Sequence, residues 1–176
     1  GVNWRKVYEI TGGSWEKDGD AWRSNVIAYN ISMACNHCED PVCLNSCPAK
    51  AITKAENGVV KIDQEKCMGC KYCSWTCPYS ALQYDSINGV MTKCDMCEDY
   101  IMEGRNPSCV DACPTRALDF GEYNELVQKY GEVSHLHPLP DQNITRPSIL
   151  INPHKNALKE ENKTAEISNR EEVKNA

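Results

Sequence analysis

Cys67-Met-Gly-Cys-Lys-Tyr-Cys-Ser-Trp-Thr-Cys-Pro78 is the most informative stretch of the sequence. Its cysteines follow the spacing C-x2-C-x2-C-x3-C-P, a run that holds 4Fe–4S clusters in bacterial proteins. The first three cysteines of such a run ligate one cluster, and the fourth ligates the other cluster of a pair. The proline after the fourth cysteine fixes φ and removes an N–H, which suits a chain that turns into a short helix.

Similar groups of cysteines occur elsewhere in the chain. The chain has 176 residues and 12 cysteines, which form three groups of four with none left over. Group one has the spacing C-x2-C-x4-C-x3-C-P, and group three has C-x2-C-x11-C-x3-C-P. We predict that every cysteine is a metal ligand: Cys35, Cys38, Cys43 and Cys47 in group one, Cys67, Cys70, Cys73 and Cys77 in group two, and Cys94, Cys97, Cys109 and Cys113 in group three.

Disulfide bonds and zinc are the two alternatives for these cysteines. Disulfides would not require three repeats of C-x2-C and C-x3-C-P, and the cysteines of a C-x-x-C pair seldom bridge outside redox motifs. Zinc ribbons use paired C-x2-C knuckles, whereas the second half of each group here is C-x3-C-P. Iron–sulfur clusters are therefore favoured, although the long gap in group three leaves zinc open for that group alone.

The cysteine groups belong to a longer internal repeat. The fourth cysteine of each group begins the pattern C-P-x-x-A-[I/L], at Cys47, Cys77 and Cys113. Asn57-Gly58 and Asn88-Gly89 follow the first two of these, and Asn-Gly between short runs of β-forming residues signals a hairpin turn. We therefore predict units that consist of a cysteine loop, a short helix and a two-stranded hairpin, as in a ferredoxin.

Two such units related by a pseudo-twofold axis would exchange their fourth cysteines and enclose two clusters. Groups one and two make a complete pair in this way, whereas group three lacks a partner. Either group three closes on itself, or a fourth group lies upstream of Gly1. Because the chain begins with Gly and not with Met, we expect the second, with two complete clusters in this chain and two more that need the upstream group. The predicted ligand sets are Cys35, Cys38, Cys43 and Cys77 for one cluster, and Cys67, Cys70, Cys73 and Cys47 for the other.

The remaining sequence predicts a few regular elements. Residues 4–10 and 25–29 have the character of two strands around a long polar turn. Residues 123–130 place apolar side chains at i, i+3, i+4 and i+7 before Gly131, which predicts a helix that packs on its own domain. From Ser134 the chain is rich in proline and contains one short apolar run, and beyond Pro153 it is polar and charged without a period. We predict an arm with a solvated or partner-wrapping end.

The predicted fold class is α+β, with ferredoxin-like repeats of the bis-4Fe–4S type, short helices and β-hairpins, plus an extended C-terminal arm. We divide the chain into four segments. Residues 1–33 form a strand region that completes an iron–sulfur domain, and residues 34–92 form a two-cluster ferredoxin-like domain. Residues 93–133 contain the third cysteine group and the packing helix, and residues 134–176 form the arm, which we expect to be mobile at its end.

Composition excludes several classes of function. The formal net charge is −6, from 19 basic and 25 acidic residues, whereas nucleic-acid binding calls for a basic patch. No apolar run approaches the roughly 18 residues of a membrane span. The adjacent carboxylates of Glu39 and Asp40 have no nucleophile or second base with them. We therefore predict a protein that transfers electrons and does not catalyse bond chemistry itself.

Several side chains beside the cysteines invite interpretation. We interpret His37 as a non-ligand, because the set of cysteines is already complete. We expect the aromatic residues near group two to shield sulfur from water, which tunes potential, and less readily to relay electrons. Cations next to cysteines either offset cluster charge or face a partner, the default being a solvated side chain. The aromatic residues are Tyr72, Trp75 and Tyr79, the cations are Lys50, Lys71, Lys93 and Arg116, and His135 and His137 are predicted to be loop residues without a role.

The sequence between the cysteines resembles the iron–sulfur (β) subunits of anaerobic dimethyl sulfoxide reductase-type molybdopterin oxidoreductases. The resemblance covers most of the chain, from about residue 2 to residue 153. It rests on Cys35-Asn-His-Cys-Glu-Asp-Pro, Gly69-Cys-Lys-Tyr-Cys, Met91-Thr-Lys-Cys-Asp-Met-Cys, Arg116-Ala-Leu-Asp-Phe-Gly, Pro138-Leu-Pro and Arg146-Pro-Ser-Ile.

The resemblance implies four cysteine groups and four 4Fe–4S clusters, of which this sequence would hold the second, third and fourth groups. By that family's pairing, Cys94, Cys97 and Cys109 join one cysteine of the first group, and Cys113 serves the first cluster. Related nitrate reductase subunits have Trp where this chain has Cys70, so the presence of Cys70 implies a four-iron cluster there. The implied partners are a molybdopterin catalytic subunit and an integral membrane anchor that oxidises quinol.

The expected function is therefore a relay of electrons from quinol to a molybdenum site and a sulfoxide or N-oxide acceptor. The alternatives are the same role beside a polysulfide, thiosulfate or tetrathionate reductase, a free-standing soluble ferredoxin, and a zinc-stabilised interaction module. The resemblance also implies a position at the cytoplasmic membrane of a bacterium, peripheral and held through partner subunits, with the outer, periplasmic face favoured.

Overall fold

The structure, a computed structural model, describes residues 2–175, so the first residue of the predicted segment 1–33 and the last of 134–176 lie outside the described residues. Strands form a three-stranded sheet and three separate hairpins. The strands are β1 Lys6–Gly12, β2 Trp15–Asp18, β3 Ala21–Ser24, β4 Ile27–Met33, β5 Ile52–Lys54, β6 Val60–Ile62, β7 Gln83–Asp85, β8 Val90–Thr92 and β9 Glu166–Ile167.

The α-helices are short, because the cysteine loops and turns divide the chain into small pieces. Three further stretches form 3-10 turns, at residues 142–144, 155–158 and 160–164. The helices are α1 Val42–Asn45, α2 Tyr72–Thr76, α3 Glu98–Met102, α4 Ser108–Asp111, α5 Tyr123–Tyr130 and α6 Arg170–Asn175.

The N-terminal region forms the main sheet. β1 and β4 are antiparallel, with Lys6 opposite Met33 and Gly12 opposite Ile27. Alternate side chains of β4 point into the core, in keeping with the period of two in a strand, and Ile27 is fully buried. The two predicted strands are present, but their connection is not a plain polar turn, because β2 and β3 pair within it as an exposed hairpin. Cys38 and Cys77 pack against the core of this sheet.

The two predicted hairpins after groups one and two are confirmed. β5 pairs with β6, and β7 pairs with β8, both antiparallel. The Asn-Gly turns work as expected, since Gly58 and Gly89 have φ of 82° and 71°, a conformation that glycine adopts without a Cβ penalty.

The short helices lie in a different place from the one predicted. In each repeat the helix contains the third cysteine and ends just before the fourth, as α1, α2 and α4 do. The Cys-Pro dipeptide therefore follows a helix and does not start one. The chain turns at Cys-Pro and, in the first two repeats, enters the hairpin directly.

Helix α5 occupies the predicted residues and ends before Gly131. None of its eight residues is fully buried, but Leu126, Val127 and Tyr130 of the predicted stripe are half-buried, so the packing of this helix on its own domain stays a prediction. Its end is held by Asp119, which accepts hydrogen bonds from Lys129 Nζ at 2.7 Å and from the Tyr130 hydroxyl at 2.6 Å.

The end of the chain folds back on the sheet, so of the two predicted alternatives the solvated end is wrong for the described tail, and the partner-wrapping end stays a prediction. β9 pairs antiparallel with β1, and Ala157 and Ala165 lie in the core of the sheet. Buried Asn162 accepts a hydrogen bond from the Tyr29 hydroxyl at 2.7 Å. The tail docks through alanines and hydrogen-bonding side chains, so its sequence shows no periodic apolar stripe from which the docking could be predicted. No helix among the described residues is long and apolar enough to cross a membrane.

Candidate metal centre

The fold groups the sulfurs of the first two cysteine groups into two sets, with the fourth cysteines exchanged. Burial, together with charge on the neighbouring Cys35 and Cys77, raises the pKa of the Cys43 thiol to about 12. Burial also raises the pKa of the Cys38 thiol, and charge on Cys35 and Cys77 raises it further. Cys77 of group two also packs with Cys38 against the core of the main sheet and with Cys43 in the second core cluster, which sets it beside group one. We call the set of Cys35, Cys38, Cys43 and Cys77 site one.

The second set has the reciprocal composition. Burial, together with charge on Cys47, Cys67 and Cys70, raises the pKa of the Cys73 thiol to about 11. The same four sulfurs line one cavity, whose remaining walls are apolar and include Ile52. We call the set of Cys67, Cys70, Cys73 and Cys47 site two.

A contact between equivalent residues marks the pseudo-twofold axis that relates the two sites. Ser46 and Thr76 each precede the fourth cysteine of their group, and their hydroxyl oxygens lie 3.0 Å apart. Each hydroxyl also donates to the carbonyl of its own third cysteine, at 3.0 Å for Ser46 and 3.2 Å for Thr76. Helices α1 and α2 meet at this point. Equivalent residues of two units related by a twofold axis meet at that axis, so this contact agrees with the predicted pseudo-symmetry.

Each C-x-x-C turn depends on a residue with positive φ. The residue before the second cysteine has φ of 43° at His37, 68° at Gly69 and 67° at Met96. This left-handed conformation costs an ordinary L-residue about 1–2 kcal/mol, so the surrounding structure has to enforce it. Only at Gly69 does the sequence supply the residue that adopts it freely.

The C-P-x-x-A repeat is a sulfur-binding turn. The residue before the alanine again has positive φ, 51° at Lys50, 51° at Ser80 and 52° at Arg116. This turns the alanine N–H toward the cysteine sulfur, at 3.3 Å in both Ala51 to Cys47 and Ala117 to Cys113. In the middle repeat the Ala81 N–H likewise lowers the pKa of Cys77, against the larger opposing effect of burial. N–H bonds to sulfur are one of the means by which proteins tune iron–sulfur potentials.

The two sites fit a cubane better than a single ion. Within residues 2–175 no three Cys, His, Asp or Glu side chains lie close enough together to hold one metal ion. Structural zinc needs four ligands at about 2.0–2.3 Å from one point. In a 4Fe–4S cluster each thiolate binds a different iron atom, so the four sulfurs stand farther apart. The thiols of both sites are partly or fully buried, which suits a cofactor that is held away from water.

Group three is less enclosed. Helix α3 fills the long gap between its second and third cysteines, and the Cys97 thiol lies 3.7 Å from the Ser108 hydroxyl. Cys113 makes its hydrogen bonds within its own turn, and those from Thr115 and Ala117 lower its pKa. Cys94 lies near group one, because Lys93 Nζ donates to the carbonyls of both Cys94 and Val60, and the Val60 N–H donates to His37 Nδ1.

His37 and Lys93 form a buried polar pair next to site one. His37 Nδ1 accepts a hydrogen bond from the Val60 N–H at 3.0 Å. Burial, followed by the nearby charge of Lys93, lowers the pKa of His37 to about 3, so the imidazole is neutral at physiological pH. Nδ1 thus has a partner on β6, whereas among the described residues the buried Nε2 has no hydrogen-bond partner.

Three of the other predicted roles need correction. Tyr79 is buried as expected, but Tyr72 and Trp75 are 52% and 74% exposed and shield little sulfur. Their rings pack edge to face on each other at the surface. The prediction that cations beside cysteines are solvated holds for Lys50, Lys71 and Arg116 but is wrong for Lys93.

The remaining candidates have structural partners. Arg146 forms a two-point ion pair with Asp40 at 2.5 and 2.8 Å, and Lys54 pairs with Glu39. His135 and His137 lie in the predicted loop, where each ring contacts a backbone carbonyl. The sequence could not show the left-handed turns or the burial of Lys93, because neither leaves a pattern of residue types.

Comparison with known proteins identifies the family of the chain. The model of a 4Fe–4S dicluster domain matches residues 26–123. Over 172 residues, 98% of this chain and 84% of the relative, the sequence is 46% identical to the B subunit of the anaerobic dimethyl sulfoxide reductase of Escherichia coli. A second relative is the B subunit of the same enzyme in Haemophilus influenzae, 48% identical over 89% of this chain and 77% of the relative. The thiosulfate reductase electron transfer subunit of Salmonella typhi is 40% identical over 54% of this chain and 50% of that subunit.

Proposed function

Since this chain belongs to the 4Fe–4S dicluster family, among the iron–sulfur subunits of the dimethyl sulfoxide reductase type, we propose that it relays electrons from a quinol-oxidising membrane anchor to a molybdopterin catalytic subunit. It is an electron-transfer subunit and not the catalytic one. The observation that supports the proposal is that Cys47 lines one cavity with Cys67, Cys70 and Cys73, while Cys77 packs with Cys38 against the core of the main sheet. An exchange of these two cysteines would set two redox sites side by side, so that electrons could pass between them within the protein.

We assign the four sulfurs of each site as the ligands of one 4Fe–4S cluster. When bound, such a cluster takes up and releases one electron at a time. The chain positions the cluster, excludes water from it and directs N–H groups at its sulfur ligands, including Met91 N–H to Cys67 at 3.3 Å. We also assign Cys94, Cys97, Cys109 and Cys113 as cluster ligands. Cys113 begins a C-P-x-x-A turn of the same kind as those that begin at Cys47 and Cys77. We therefore expect Cys113 to ligate a different cluster from the one that Cys94, Cys97 and Cys109 ligate.

The net reaction needs two electrons. Oxidation of quinol to quinone in the anchor would release two electrons and two protons. Reduction of a sulfoxide to a thioether and water at the catalytic subunit would consume the same number. The protons need not pass through this chain, whose proposed role is confined to the electrons.

Dimethyl sulfoxide reductase is the favoured type of complex because the likeness to its B subunit extends over almost the whole chain. A thiosulfate reductase type is the second candidate, supported by the likeness over about half of the chain. We expect the subunit to lie at the cytoplasmic membrane of a bacterium, held through its partners on the outer face.

The function can be tested in the assembled complex of the chain with its catalytic and anchor subunits. Two electron donors are compared: a quinol, which must use the relay, and reduced viologen, which reaches the catalytic subunit directly. We expect Cys47→Ala to abolish quinol-dependent sulfoxide reduction and to leave at least about half of the viologen-dependent rate, because the second donor bypasses site two.

The exposed residue Lys17, far in sequence from the cysteines, provides a matched control, and Lys17→Ala should retain both activities. If Cys47→Ala sustains the full quinol-dependent rate in a complex of unchanged composition, the proposed relay through site two is wrong.

A further inference from the structure

Lys93 is an unusual residue because it is a charge inside the protein. It is 4% exposed, and among the residues whose burial the structure describes no other Lys, Arg, Asp or Glu is buried. Its ammonium donates hydrogen bonds to the carbonyl oxygens of Val60 and of Cys94, the latter at 2.9 Å. These bonds hold the ammonium at the junction of β6 with the first cysteine of group three.

A buried cation of this kind needs a negative counterpart. Burial of an ion without an opposite charge is strongly unfavourable, and the ion pairs within residues 2–175 give Lys93 no carboxylate partner. Carbonyl dipoles satisfy its N–H groups but supply no net charge. The neighbouring imidazole of His37 supplies no negative charge in either of its protonation states.

The available negative charge is that of the cysteine sulfurs. The ammonium lies close to site one, because the Val60 whose carbonyl accepts its hydrogen bond donates its own N–H to His37 Nδ1 at 3.0 Å, and His37 stands between Cys35 and Cys38. Among the described residues, Lys93 is not part of the lining of the cavity that the site-two sulfurs share. The cation is thus placed asymmetrically with respect to the pseudo-twofold axis.

We propose that Lys93 is the fixed positive charge that stabilises the reduced state of the cluster in site one, and thereby separates its potential from that of site two. The inference rests on the proposed function, because it requires a cluster in each site. A cluster gains one negative charge when it takes up an electron, and a nearby cation in a poorly screened interior favours that state. Lys93 would act through its charge alone and is not proposed as a ligand of the cluster.

The test is an anaerobic redox titration of the full chain, followed by electron paramagnetic resonance. Signals are first assigned with Cys77→Ala, which lacks a site-one ligand, and Cys47→Ala, which lacks a site-two ligand. Lys93→Gln removes the charge but keeps an N–H donor, and Lys93→Met removes both. Lys71→Met is the matched control, because Lys71 also adjoins a cysteine but is exposed and lies over the Tyr84 ring.

We expect Lys93→Gln and Lys93→Met to lower the equilibrium constant for one-electron reduction of site one by about tenfold or more, equivalent to about 59 mV. The potential of site two should change much less, and Lys71→Met should leave site one unchanged. Unchanged potentials in variants that retain their iron would overturn the inference, as would loss of the site-one cluster from both Lys93 variants, which would indicate a structural role. Absence of clusters from the unaltered chain would instead contradict the proposed function.

Discussion

Cys77→Ala should eliminate the four-iron cluster of site one, although Cys77 lies in the sequence motif of group two. Cys77 packs with Cys38 and with Cys43 of group one, so its loss would leave that cluster with three protein ligands. Site one should lose between about one and four of its four irons, because a cubane with three protein ligands either releases the unligated iron or is lost altogether. Iron analysis and electron paramagnetic resonance of the reduced protein would measure the loss.

The reciprocal variant gives this prediction its control. Cys47→Ala should eliminate the cluster of site two and spare site one, because Cys47 lines the cavity of the group-two sulfurs. The double variant should lack both clusters. If Cys77→Ala instead perturbs only the cluster of Cys67, Cys70 and Cys73, each group is self-contained and the exchange does not occur.

Gly69→Ala should displace the group-two turn and destabilise site two. A Cβ at Gly69, which has φ of +68°, would overlap the carbonyl oxygen of Gly89 in the β7–β8 turn. The left-handed conformation alone costs about 1–2 kcal/mol, and relief of the overlap adds about 1–3 kcal/mol. We expect loss of site-two iron at a denaturant concentration that the unaltered protein withstands, measured anaerobically.

Gly58→Ala separates the cost of the left-handed conformation from the cost of the steric overlap. Gly58 also has positive φ, at +82°, but a Cβ there meets nothing within 4 Å. This variant should therefore show the conformational penalty alone and keep both clusters. Equal iron loss in the two variants would show that the contact with Gly89 is unimportant for site two.

The sequence predicted the features that depend on residue types at fixed spacing. The pairing of cysteine groups, the two Asn-Gly hairpins and helix α5 each leave such a pattern. It misplaced the short helices because Cys-Pro suits the start of a helix, whereas here Lys50, Ser80 and Arg116 adopt positive φ three residues later. That conformation directs the N–H of the next residue to the cysteine sulfur. It is also incompatible with a right-handed helix at this position.

Long-range packing accounts for the other differences. The tail was predicted to be solvated because its polar composition lacks a period, yet β9 pairs with β1 and Asn162 reaches Tyr29. Lys93 looked like the other cations beside cysteines, and only the approach of β6 from a distant part of the chain encloses it. For Tyr72 and Trp75 the error is the opposite one, because they were predicted to be buried against sulfur and are exposed. Aromatic character alone does not reveal which face of α2 is covered.

The metal content of the anaerobically reconstituted chain is the most direct test of the central claim that these cysteines hold 4Fe–4S clusters. Iron, acid-labile sulfide and zinc should be measured on the same sample. We predict at least about eight irons per chain with a matching amount of sulfide, from sites one and two, and negligible zinc. Stoichiometric zinc with negligible iron and sulfide would contradict the claim.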